Sequence, residues 1–119
     1  MAGTDAGSIA SACLAAWTSG DMATTRALLA DDVRFVGPLA LTVGADEYVA
    51  GVEGMSRFVT GADQHHVIVD GDDVCIVYDL VTDTEAGAIP CAGWYQLRDG
   101  KIAWVRVFFD PRPLLEALA

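Results

Sequence analysis

The sequence predicts an α+β fold: an N-terminal helical hairpin and a third helix packed on the concave face of a curved antiparallel sheet. Three observations carry this. Apolar side chains recur at helical spacing up to about residue 59 and at strand spacing from residue 65 onward. Two Asp-Gly turns punctuate the second half. The 119 residues make one domain, 1–119, without repeat, linker or low-complexity segment.

Ile9, Cys13 and Trp17 fall on one face of a helix over Ser8 to Thr18, which Gly20 ends. Asp21 reads as the N-cap of a second helix, Met22 to Ala30, with Met22, Leu28 and Leu29 on its buried side. Asp32 to Val36 is a short strand stopped by Gly37-Pro38, and Leu39 to Val43 continues as extended chain. After Gly44, the residues Tyr48, Val52, Met55 and Val59 mark a third helix from Ala45 to Val59, weakened by Gly51 and Gly54. His66 to Val69, Val74 to Thr82, Ala88 to Leu97 and Ile102 to Phe109 then read as four consecutive antiparallel strands. The turns are Asp70-Gly71-Asp72-Asp73 and Arg98-Asp99-Gly100-Lys101, whose Asp-Gly pairs tolerate the positive φ of a type I′ turn. Pro111 and Pro113 end the last strand, and Leu114, Leu115 and Leu118 form a short C-terminal helix.

Composition limits function. Seventeen acidic against seven basic residues give a formal charge of −10, yet 53% of the chain is hydrophobic. Disorder is excluded by that apolar content. Nucleic acid is an improbable partner, because a phosphate backbone needs clustered Lys and Arg. The longest uncharged run, Ala6 to Gly20, has 15 residues, short of the ~20 that cross a membrane. Met1-Ala2-Gly3-Thr4-Asp5 lacks the basic start and apolar core of a signal peptide, so the expected location is cytoplasmic. Cys13, Cys75 and Cys91 are odd in number and without CxxC spacing, and neither a disulfide framework, a metal site nor a cofactor is expected.

The chain resembles the nuclear-transport-factor-2-like superfamily, and within it the SnoaL-like branch. The matching pieces are Ala15-Ala16-Trp17-Thr18-Ser19-Gly20-Asp21, Leu28-Leu29-Ala30-Asp31-Asp32-Val33, Gly44-Ala45-Asp46-Glu47-Tyr48, Arg98-Asp99-Gly100-Lys101-Ile102 and Phe108-Phe109-Asp110-Pro111. The resemblance implies a cone with a mostly apolar pocket at its open end and, often, dimerisation through the outer sheet face. It implies no single activity. A ketosteroid isomerase site would need a carboxylate base where this chain has Gly37, a tyrosine where it has Cys13, and a protonated acid near Gly93. A limonene-type epoxide hydrolase site would place its middle-strand Asp at Asp79, but its Arg falls on Val77 and its second Asp on Val107.

Asp79 interrupts an apolar strand and shares its face with Cys75, Val77 and Val81. Buried there, it would have the raised pKa of a general base. Adjacent His65 and His66 point to opposite faces and cannot chelate one ion; parity with the family favours His66 as a pocket acid, base or donor. Trp17, Phe35, Tyr48, Cys91, Tyr95, Val107 and Phe109 are expected around the pocket, with Tyr95 assisting Asp79 and Tyr78 on the opposite face from Asp79. Tyr95, Ala103, Val105, Val107 and Phe109 should face inward, and Trp94, Trp104, Arg106 and Phe108 outward, where they suggest a homodimer face. The expectation is a domain that binds a small apolar or aromatic, polyketide-like molecule, extended to an isomerase, cyclase or dehydratase if Asp79 is its base. The alternative is a noncatalytic ligand-binding or dimerisation module.

Overall fold

The computed structural model describes residues 5–119 and shows four helices and a six-stranded, curved, unclosed sheet. Helix α1 spans Ala6–Thr18, α2 Met22–Ala27, α3 Ala45–Met55 and α4 Arg112–Leu118. The strands are β1 (Leu29–Val36), β2 (Leu41–Val43), β3 (Val59–Asp70), β4 (Asp73–Thr82), β5 (Ala88–Arg98) and β6 (Lys101–Phe108). Their order across the sheet is β2-β1-β6-β5-β4-β3, with β1 parallel to β6 and every other neighbour antiparallel.

Local chemistry sets most of the boundaries. The Asp5 carboxylate accepts from the Ser8 N–H at 2.7 Å, and Asp21 accepts from the Thr24 N–H and hydroxyl, so both first helices start on a side-chain cap. Gly44, at φ +94°, turns the chain into α3 and donates its N–H to the Val33 carbonyl at 2.7 Å. In the β5–β6 turn, Asp99 and Gly100 both have positive φ, as a type I′ turn requires. The β3–β4 turn differs from the expected form. Its central pair is Gly71-Asp72, and only Gly71 has positive φ, the pattern of a type II′ turn.

Two helices are shorter than their periodicity predicts. Helix α2 stops at Ala27, and Leu29 and Ala30 are buried in β1. The Leu28 carbonyl accepts the Ile102 N–H at 2.9 Å and the Ala27 carbonyl accepts Lys101 Nζ at 2.6 Å, so β6 draws this segment into the sheet. Helix α3 stops at Met55, and Val59 already belongs to β3, which is therefore much longer than His66 to Val69. In both places an apolar residue at helical spacing satisfies the core equally well from a strand.

The core lies between the concave sheet face and helices α1 and α3. From β4 it receives Val74, Ile76, Tyr78 and Leu80; from α1, Ile9, Cys13, Leu14 and Trp17. Gln64 of β3 fastens α1 down, accepting from the Ser11 hydroxyl at 2.7 Å and donating to the Ser11 carbonyl at 3.1 Å. No described helix is long and apolar enough to cross a membrane.

Candidate functional site

The concave side holds an inner chamber and a mouth. The chamber, about 70 Å³, is lined by Trp17 from α1, Phe35 from β1, Tyr48, Val52 and Met55 from α3, Tyr78 and Leu80 from β4, Cys91 and Tyr95 from β5, Val107 from β6, and Phe109. The mouth, about 100 Å³, opens between α3 and the segment Gly37 to Ala40. Five residues line both spaces: Phe35, Tyr48, Val52, Met55 and Phe109. Phe35 and Tyr48 meet edge to face, ring centroids 5.7 Å apart at 76°, and form the partition.

Of the residues expected around the pocket, Trp17, Phe35, Tyr48, Cys91, Tyr95, Val107 and Phe109 line the chamber. The expectation for Asp79 is corrected. On β4 the inward set is Val74, Ile76, Tyr78, Leu80 and Thr82, so Asp79 stands on the outer face with Cys75, Val77 and Val81. There its Oδ2 lies 3.1 Å from His65 Nε2, both side chains part-exposed, and Asp63 is its opposite number on β3. His66 is also corrected. It lies opposite Val77, on the outer face, and is exposed. A register slip between Gln64 and His66 carries the chain past His65, and neither histidine reaches the chamber. Tyr78 is the chamber residue that the sequence reading placed on the wrong side.

The polar equipment of the chamber is phenolic. Tyr48 and Tyr95 are fully buried and Tyr78 nearly so, and burial is the main cause that raises all three hydroxyls above the ordinary tyrosine range. The neighbouring Cys13 thiol adds to the rise at Tyr48 and the Cys91 thiol to that at Tyr78, and Cys91 Sγ itself donates to the Ile89 carbonyl at 3.3 Å. Burial likewise pushes the Cys13 thiol up to about 12 and the Cys91 thiol up to about 11. Three phenols and two thiols are thus all neutral at pH 7, hydrogen-bond donors rather than nucleophiles. No Asp, Glu, Lys, Arg or His lines the chamber or the mouth.

Two glycines make room for the aromatic wall. A Cβ on Gly93 would stand 3.0 Å from Tyr95 Cε1, and one on Gly37 would stand 2.9 Å from Phe35 Cζ. The positions where the resemblance would put an acid and a base are therefore overlain by rings. At the mouth, Thr42 Oγ1 is buried without a hydrogen-bond partner among the described residues. No group of three or more described His, Cys, Asp or Glu side chains is placed to hold a metal ion.

The outer sheet face is built of alternating cations and indoles. Arg106 lies 5.4 Å from the Trp94 ring and 5.1 Å from the Trp104 ring, Arg34 lies 5.8 Å from Trp104, and Trp94 Nε1 donates to Asp73 at 3.0 Å. The expected alternation holds in part: Tyr95 and Val105 are buried and Trp94 and Phe108 exposed, but a register slip between Gln96 and Leu97 leaves the neighbours Ile102 and Ala103 both buried.

Comparison with known proteins follows this geometry. The chain is similar to the crystal structure of a protein from Kribbella flavida (28% identity, TM-score 0.85, covering 92% of this chain and 90% of that one). It is also similar to an NTF2-like protein of unknown function from Cytophaga hutchinsonii (25%, 0.81, 93% and 95%). An LEH-like epoxide hydrolase of M. tuberculosis shares the fold (22%, 0.77, 95% and 91%). No curated protein matches the sequence. The sequence pattern of the SnoaL-like domain matches residues 10–105, and the chain belongs to that family, within the NTF2-like superfamily.

Proposed function

We propose that the domain binds a small, largely apolar molecule with one ring and an oxygen acceptor, holding it by apolar contact and by neutral phenol donors rather than turning it over with a carboxylate base. The observation that carries this is the composition of the wall: three buried tyrosines converge on a chamber that no carboxylate enters. A proton-abstracting base must lie within hydrogen-bond reach of its substrate. Asp79, on the far side of the sheet, has no such reach. The chamber, about 70 Å³, and the mouth, about 100 Å³, are each smaller than the ~150 Å³ cavity that accepts benzene, so a ring enters by parting the Phe35–Tyr48 partition that separates them. A ring would therefore occupy the space, its acceptor against Tyr95 or Tyr78 and any second polar group against Thr42 at the mouth. The similarity to an epoxide hydrolase is consistent with small-molecule binding and extends to the fold alone.

The test is an NMR titration with acetophenone, which has one ring and one carbonyl. Saturable shifts confined to chamber residues are expected, and their absence up to the solubility limit rejects the reading.

A second observation favours a partner for the outer face. The Arg34, Trp94, Trp104 and Arg106 ladder lies on a sheet face that no described helix covers, and we read it as a homodimer surface.

A further inference from the structure

Strand β3 is one of the two edges of the sheet, and its C-terminal end carries an exposed apolar run. Val67, Ile68 and Val69 are 42%, 58% and 51% exposed. An edge strand presents a row of unpaired N–H and C=O groups, and long apolar edges are usually blunted by charge, bulge or cover. Here the bulge comes at His65, before the apolar run, and α1 covers it only in part, its Gly7 packed against Val69 and Val67. The helix offers a shelf of small side chains, Gly7, Ser8, Ser11, Ala12 and Ala15, beside Val67 and Val69, leaving about 530 Å³ of open groove.

We infer that this edge takes β3 of a second copy of the chain, paired antiparallel about a two-fold axis through Ile68. Register decides the occupant. For the two sheets to run on with their concave faces on the same side, opposite residues must share a face, so the axis passes through a residue and not between two. Val67 and Val69 face inward, opposite Ile76 and Val74; His66, Ile68 and Asp70 face outward, opposite Val77, Cys75 and Asp73. An axis on Val69 would set Ile68 against the partner's Asp70, and an axis on Val67 would set Gln64 against the partner's Asp70. An axis on Ile68 sets Val67 against the partner's Val69 and Ile68 against the partner's Ile68. It also places His66 opposite the partner's Asp70, twice by symmetry. The partner's Val67 and Val69 then fall over the shelf of small residues, which has the depth to receive them. In a chain of formal charge −10, the segment 65–70 itself carries two histidines and one acid, and the axis would pair His66 with the partner's Asp70. This surface is distinct from the tryptophan face.

The experiment is cysteine cross-linking. Because Cys75 lies opposite Ile68 on β4, Ile68→Cys is made with Cys75→Ser and oxidised mildly with diamide. A disulfide-linked dimer is expected, since the two Cα atoms face each other across the axis, within the span a disulfide allows. Val67→Cys with Cys75→Ser, offset from its own copy by two positions, should not link. Light scattering of Ile68→Lys, a change at an exposed position, should show half the wild-type mass. Absence of the Ile68→Cys dimer, equal linking at both positions, or an Ile68→Lys protein of wild-type mass overturns the inference. So does a mass that falls with Trp104→Glu but not with Ile68→Lys.

Discussion

Tyr95 shows how much a single residue can depend on its neighbour's lack of a side chain. Its ring lies over Gly93 on the same strand, in space that a Cβ would contest at 3.0 Å. Gly93→Ala should push the ring into the chamber and cost about 1–3 kcal/mol in urea unfolding, as overpacking does. Wild-type stability in that variant would mean that the ring is loosely held. The buried thiols make a second prediction with a definite sign. An unfolded thiol ionises near pH 9, but the folded chain keeps Cys91 protonated to about 11 and Cys13 to about 12. Between these values the unfolded state has lost protons that the folded state retains. Stability is therefore fully present below pH 9 and is lost as the pH rises toward 11 and 12, with the buried tyrosines acting in the same direction. Urea midpoints below pH 9 and near pH 11 measure this, and equal midpoints would contradict it.

Strand β4 marks how far an element could be read from sequence. Its existence and extent were legible, because Val74 to Thr82 is a run of β-formers between turns. Which face is buried was less so, because both alternating sets are apolar. The deciding signal was present: Asp73 and Asp79 share one parity and no charge falls on the other, so the face with Cys75 and Val77 is the wet one. Trp17 and Tyr48 were readable from helical spacing and Cys91, Tyr95 and Val107 from strand alternation, whereas the partner that Asp79 finds in His65 depends on a bulge in β3 that has no sequence mark. Helix α3 supplies a prediction at this scale. A Cβ on Gly51 or Gly54 would meet nothing within 4 Å, and in a helix Ala is preferred to Gly by about 1 kcal/mol. Gly54→Ala should raise stability by roughly that amount and leave acetophenone binding unchanged. Gly51→Ala should be equally stabilising but slow uptake, because Gly51 lines the mouth. Stopped-flow mixing separates the two, and equal association rates would contradict the placement of the mouth.

The whole molecule resolves the tension between an acidic chain and an apolar one. Acids take caps, turns and the outer surface: Asp5 and Asp21 cap helices, Asp32 pairs with Arg98, and Asp110 with Arg112. Apolar residues fill the core, the chamber wall and the bare sheet face. On the proposal that the tryptophan ladder is a homodimer surface, Trp104→Glu should reduce the mass seen by light scattering, while a wild-type mass would remove the sheet-face reading. The central claim is that the working surface is the tyrosine-lined chamber and that Asp79 takes no part in it. Acetophenone affinity, measured by NMR titration in Tyr95→Phe and Asp79→Asn, tests this most directly. The account predicts a loss of about 3–10-fold for Tyr95→Phe, the worth of one hydrogen bond, and wild-type affinity for Asp79→Asn. Unchanged affinity in Tyr95→Phe together with a large loss in Asp79→Asn would contradict it.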